Sequence, residues 1–353
     1  MTMGSETRHF QNSGTISYFA IGGTHFWGHA DFHVSIPIMS FGTSEFETKS
    51  ETGMKVFPMR VENKKLRPYA GIAWHPASLQ RGDGAIKYSH TFPLSAGFAY
   101  LNGMHMLDAG LSWNPSNSQD YYVNPTTVST LKTPPISINF TYKVMLETTL
   151  SAERDWKSGR TASITDQLAS EGKLNGFTLS VGPSSSMYLA SSAFNRDQAP
   201  YLHQHKIVNV FPEFGVGYYL HQPDVQFNLV YRSNVSEQNA YGTQQRAERQ
   251  AITFEAYKFL FDYHGFAAFL GPAISHESLN VRHDGESASF NGLKPGLTFG
   301  WDIRPNRLQS WLLRTNLRWF PNLDVTMSNG QTVPMDQLEF NFIELVVFPG
   351  RMF

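Results

Sequence analysis

The stretch Gly23–Ile38, GTHFWGHADFHVSIPI, sets three histidines and an aspartate among aromatic and branched residues. Read with a period of two, His25, Trp27, His29, Asp31, His33 and Ser35 fall on one side. Phe26, Gly28, Ala30, Phe32, Val34, Ile36 and Ile38 fall on the other. Side chains alternate across a strand, so one face is polar and one apolar. A helical reading scatters both sets around the axis. The stretch predicts a strand with all three histidines on its wet face.

The same alternation recurs down the chain. Leu107, Ala109, Leu111 and Trp113 oppose Asp108, Gly110 and Ser112. Ile136, Ile138, Phe140, Tyr142, Val144 and Leu146 oppose Ser137, Asn139, Thr141, Lys143 and Met145. Leu293, Pro295, Leu297, Phe299, Trp301 and Ile303 oppose Lys294, Gly296, Thr298, Gly300, Asp302 and Arg304, and Leu313, Thr315, Leu317 and Trp319 oppose Arg314, Asn316 and Arg318. A soluble sandwich also alternates. Here, however, the polar face mixes glycine, serine, asparagine and both signs of charge, while the apolar face persists in nearly every strand. That is the pattern of a lipid-facing exterior around a polar lumen.

Composition agrees. In 353 residues the charged share is only 16%, the aromatic share is 14%, the net charge is -1 and cysteine is absent. Mean hydropathy is -0.31. No apolar run is long enough for a membrane helix. Without cysteine there are no disulfides and no thiolate metal sites. The near-neutral balance and the lack of a basic stripe exclude a nucleic-acid partner. Phosphate-loop, dinucleotide, HExxH and nucleophile-elbow motifs are absent.

The expected fold is all-β: one antiparallel transmembrane β-barrel over residues 1–353, with about 14 strands (range 14–16). Short connections such as ENKK, NG at 102–103, HQPD and NRLQS alternate with long ones, which predicts short periplasmic turns and long extracellular loops. GGTH at 22–25 is read as a tight turn. SEQNAYGTQQR and NVRHDGESASFN are read as long loops. Residues 1–14, which lack the charged and apolar regions of a signal peptide, are read as a flexible N-terminus or the remnant of a first strand. Residues 151–175 fall where a short turn is due. They are read as a periplasmic excursion, with SITDQLASEG carrying a serine start and a glycine stop for a helical turn or two.

With Leu345 and Val347 on alternate positions and a terminal Phe353, the chain resembles bacterial outer-membrane β-barrels, although Pro349 and Arg351 depart from that spacing. The resemblance implies residence in the bacterial outer membrane and contact with its lipid. The polar lumen and a strand count near 14 point to a channel or transporter for small solutes or lipophilic compounds, and the balanced lumen charges and the insert at 151–175 point to a periplasmic or outer-membrane protein partner. A structural or assembly-partner barrel is the alternative, and an outer-membrane lipid hydrolase a further one, with His283, Ser287, Ser289 and Asn291 as its candidate residues. The leading reading is of a non-enzyme without a cofactor.

The residues expected to face the lumen are His25, His29, Asp31, His33, Arg67, Lys143, Glu213, Arg304, Arg314 and Arg318. The last three are expected to form an anion-attracting wall. His29, Asp31 and His33 are the candidate metal ligands, although residues four apart on one strand stand about 13 Å apart. Trp74, Trp113, Trp301, Trp311 and Trp319 read as interfacial girdles.

Overall fold

Alternation becomes geometry at the hairpin of β5 (Leu94–Asn102) and β6 (His105–Trp113). Phe98 and Leu111 stand outward and exposed, while Ala99, Leu101 and Asp108 are buried. A computed structural model of the chain describes residues 14–42, 46–48, 51–79, 87–116, 118–132, 135–147, 159–202, 210–263, 265–304 and 307–352. The chain divides into two compact units, one mainly of residues 1–151 and one mainly of residues 152–353.

In the first unit, β1 (Gly14–His25), β2 (Ala30–Gly42), β3 (Glu51–Val56) and β4 (Leu66–Leu79) pair in sequence, antiparallel. β4 then pairs β5, β5 pairs β6, and β6 pairs β7 (Ile136–Glu147). The path returns to its start through a parallel pair, Ala20–Thr24 of β1 against Lys143–Glu147 of β7. Seven strands therefore close on themselves.

In the second unit the closed barrel has eight strands. They are β8 (Gly176–Tyr188), β9 (Phe211–Leu220), β10 (Val225–Ala240), β11 (Thr243–Tyr263), β12 (Phe266–His283), β13 (Glu286–Ile303), β14 (Trp311–Phe320) and β15 (Gln337–Val347). β15 closes the ring on β8. Both units carry an outward apolar face and a polar interior. Phe177, Val216, Leu229, Phe254, Ile274 and Leu297 are exposed on the barrel wall, as are Phe140 and Leu107 on the other unit. Trp311 and Trp319 are exposed at the two ends of β14. Eight residue steps separate them by roughly 26 Å, about the height of an outer-membrane apolar band.

The single ring of about 14 strands expected from the sequence is thus replaced by rings of seven and eight. Alternation assigns a face to each residue but does not name the distant strand that closes a ring. Residues 159–170 between the rings form helix α1 (Gly159–Ser170). The expected glycine stop is Gly172, at φ +70. Its N–H bonds the Ala169 carbonyl at 3.0 Å and that of Lys173 bonds the Leu168 carbonyl at 2.9 Å, a Schellman end. Residues 1–13 and the terminal Phe353 lie outside the described residues.

Three connections differ from expectation. The β1–β2 turn is not GGTH, whose residues all lie in β1, but Phe26-Trp27-Gly28-His29. The first three of these take φ of 49, 56 and 85. The loops expected around 236–246 and 280–291 are continuous strand, reversed by Tyr241-Gly242 and Asp284-Gly285, each with φ positive at both residues. These are two-residue hairpin turns of the twist-matched kind. At 18–21 residues, β11, β12 and β13 are longer than the 9–11 residues with which a strand crosses a bilayer.

Candidate functional site

The interior of the seven-stranded unit is ionic. Asp31 of β2 and Lys143 of β7, both fully buried, form an ion pair. Lys143 also reaches Asp108 at 3.4 Å, and Lys55 of β3 reaches Asp108 at 2.7 Å. The Tyr69 hydroxyl donates to Asp108 at 3.4 Å, and its ring sits 4.4 Å beneath the Lys55 ammonium. Buried charges persist only when paired and hydrogen-bonded. These four strands supply two cations and two anions that neutralise one another.

The eight-stranded lumen is layered. At the short-turn end Tyr219, Tyr257, Phe259, Ala267, Phe269, Leu312, Val346 and Phe348 form an apolar layer. At the other end Tyr188, Ala247, Leu279 and Val281 meet Leu323, Val325, Met327, Val333 and Met335. The last five come from a strand pair, Asp324–Thr326 with Thr332–Pro334, and its flanks.

Between these layers lies an ionic belt. The Arg318 guanidinium donates to Glu213 at 2.7 and 2.9 Å and to Glu255. Arg249 forks onto Glu277 at 2.6 Å and bonds Glu339, which also pairs Arg232 at 2.6 Å. Arg314 forks onto Asp302 at 2.7 and 2.9 Å. Arg232 and Arg249 lie over the Phe320 ring at 5.7 and 5.9 Å.

A second cluster caps the apolar layer at the short-turn rim, with the Arg304 guanidinium 4.0 Å from the Phe259 ring. Arg304 and Arg307 grip Asp224 at 3.0 and 3.1 Å, Arg304 and Arg307 approach Asp262 at 3.4 and 3.3 Å, and the Tyr219 hydroxyl donates to Asp224 at 2.6 Å. The cavity among Tyr219, Phe259, Arg304, Arg307 and Arg351 is about 10 Å³, room for one water. Burial pushes the Asp224 carboxyl up, but Arg304 and Arg307 outweigh it and hold the group below its ordinary range. A depressed carboxylate stabilises the fold above its ordinary value near ~3.9 and loses that contribution as pH falls through the lower folded value. On acidification below about pH 4, urea midpoints of the folded protein in micelles are expected to fall faster than those of Asp224→Asn. Parallel midpoints would show that the clamp contributes nothing.

The sequence candidates are now placed. Asp31 and His33 point inward on β2 and His25 inward on β1. His29 does not face the lumen. The left-handed turn breaks the period there, leaving it exposed with Nδ1 3.0 Å from the Phe57 carbonyl. It therefore stands apart from Asp31 and His33, and Asp31 is committed to Lys143, so the three side chains do not converge on one point. Lys143, Glu213, Arg314 and Arg318 are buried in the lumens. Arg67 lies at the rim, bonded to the Arg60 carbonyl at 2.8 Å and 3.5 Å from Glu62. Arg304, Arg314 and Arg318 make no anion-attracting wall, because each guanidinium already faces a carboxylate.

The hydrolase candidates separate as well. His283 points inward and stacks on Phe194 at 4.5 Å, while Ser287, Ser289 and Asn291 are exposed on β13. The sequence reading missed Arg249, Glu277 and Glu339. Their strands could have been found from the alternation at Arg249, Ala251 and Thr253 against Gln250, Ile252 and Phe254.

No family model and no curated protein matches the chain. Among solved structures it is similar to the neisserial surface protein A, at 14% identity over 50% of this chain and 97% of that one, TM-score 0.34. It is similar to Ail, the attachment invasion locus protein of Yersinia pestis, at 8% identity over 49% and 96%, TM-score 0.25. It is also similar to an outer-membrane channel from Pseudomonas putida F1, at 11% identity over 94% and 91%, TM-score 0.24. The architecture described above rests on the chain's own strand pairings.

Proposed function

We propose that this chain is a bacterial outer-membrane protein with a sealed lumen, acting as a structural or assembly-partner barrel and not as a diffusion channel. One observation carries the reading: Arg318 bridges Glu213 and Glu255 across the eight-stranded interior, between two apolar layers. An eight-stranded barrel is just wide enough for side chains to fill. A channel needs lining charges that face a continuous water path, whereas here Arg232, Arg249, Arg314 and Arg318 each face a buried carboxylate. The apolar exterior is the surface for membrane lipid. No catalytic step enters the reading. Helix α1 lies outside the barrel wall in sequence and is the docking element proposed for a protein partner.

The test uses the full chain, refolded and heat-modifiable, in planar bilayers. No conductance steps are expected, and native membranes should yield a stoichiometric companion that is lost on deleting residues 155–172. Steady open-channel current from folded protein would overturn the sealed lumen. A lone monomer would overturn the partner role.

A further inference from the structure

The ionic groups of the seven-stranded interior fall into two sets. Asp31, Lys143, Asp108 and Lys55 neutralise one another. Glu51 stands apart from them. Among the described residues its ion-pair contact is with His33, Nε2 to Oε1 at 3.4 Å. A carboxylate facing an imidazole nitrogen, with no lysine or arginine in contact among the described residues, suits a borderline-soft cation.

The backbone brings a third donor alongside. His33 lies opposite Gly53 and Ser35 opposite Glu51 in the β2–β3 pairing. Gly53 lies opposite Ala73 and Thr52 opposite Trp74 in the β3–β4 pairing. The next step in that register sets Glu51 against His75, close enough for the Glu51 charge to act on it. Facing residues hold their Cβ atoms about 4.5–5.5 Å apart, a span that two ligands can close on a shared ion.

Gly53 makes the approach feasible, since a Cβ there would stand 2.7 Å from the His33 Cε1. The His33 ring therefore lies across β3 towards β4. Among the described residues the buried His75 Nε2 has no hydrogen-bond partner. Behind His33, Nδ1 faces Asp31 at 3.9 Å, and Asp31 is itself held by Lys143. A carboxylate hydrogen-bonded to the far nitrogen of a ligating histidine is the usual support of a metal-bound imidazole; here the gap exceeds a hydrogen bond, and a small rotation of the His33 ring would close it. The Glu51 side chain, 32% exposed, leaves an entry path.

We propose that His33, Glu51 and His75 bind one divalent transition-metal ion, best matched by zinc, which staples β2, β3 and β4 together. Among the described residues no three such groups already converge on one point. The fixed partner is His33, and the side chains of Glu51 and His75 rotate onto the ion. The site differs from the one expected at His29, Asp31 and His33, because Asp31 serves as support and His29 is elsewhere.

The test titrates zinc into the untagged, refolded full chain in detergent, with heat-modifiability as the check on folding. One zinc per chain is expected. Binding should weaken at least tenfold in His33→Gln, Glu51→Gln and His75→Gln and stay unchanged in His29→Ala. Cobalt at the same site should give tetrahedral d–d absorption that His75→Gln abolishes. If His33→Gln fails to fold, the two positions nearer the rim carry the test. Absence of stoichiometric zinc, or equal affinity in folded Glu51→Gln and His75→Gln, would overturn the proposal.

Discussion

Arg318→Met is expected to lower the folding free energy by about 3–5 kcal/mol, read from urea unfolding in lipid vesicles. The substitution leaves Glu213 and Glu255, both fully buried, facing each other without the guanidinium that bonds them. Removing one partner of a buried ion pair costs far more than the pair contributes, because an uncompensated charge remains. The triple variant Arg318→Met, Glu213→Leu and Glu255→Leu removes all three charges together. It should recover most of the loss, since a packed apolar replacement of a buried triad is often neutral. If the three single losses simply added, Arg318 would not be bonded to these two carboxylates in the folded protein.

Phe140→Arg should cost about 2–4 kcal/mol, and Ile136→Arg on the same strand about 0–1. Phe140 is 82% exposed and Ile136 60%, so a water-soluble reading predicts a negligible cost at both. Lipid distinguishes them by depth: Ile136 opens β7 at its rim, and Phe140 lies further into the wall. Unfolding in vesicles reads the gradient. Equal small costs would remove the membrane from the exterior of this unit. Bilayer thickness supplies a test that exposure alone does not.

The facing of residues was legible wherever the strand ran undisturbed. Leu107 to Trp113 alternate in the structure as they do in the sequence, and so do Arg314, Asn316 and Arg318 against Leu313 and Leu317. Thr315 and Ile303, expected on the outer face, are buried instead, Thr315 where the β14–β15 register shifts between Arg314 and Asn316 and Ile303 at the rim end of β13. The reading slipped where backbone geometry reset the phase. Phe26 and Trp27 are left-handed, a conformation unexpected for bulky residues, so His29 lost the face that counting gave it. Asp284-Gly285 carries a hairpin signature, yet the polar residues around it suggested a loop. Beyond the membrane both sheet faces meet water or a small core, and the clean alternation fades. Ion partners were the least legible. Glu213 and Arg318 lie 105 positions apart, and only ring closure makes them neighbours.

The parallel seam between β1 and β7 has a topological meaning. Each hairpin brings a chain back to the side it came from, so an even ring returns its polypeptide to the side of entry. Seven strands do not. The polypeptide enters the first ring beside Gly14 and leaves it beside Glu147 at the opposite rim, while the second ring takes it in at Gly176 and releases it at Val347 on one side. The first ring therefore carries the chain from one of its rims to the other, and the parallel pair is the structural mark of that change of side.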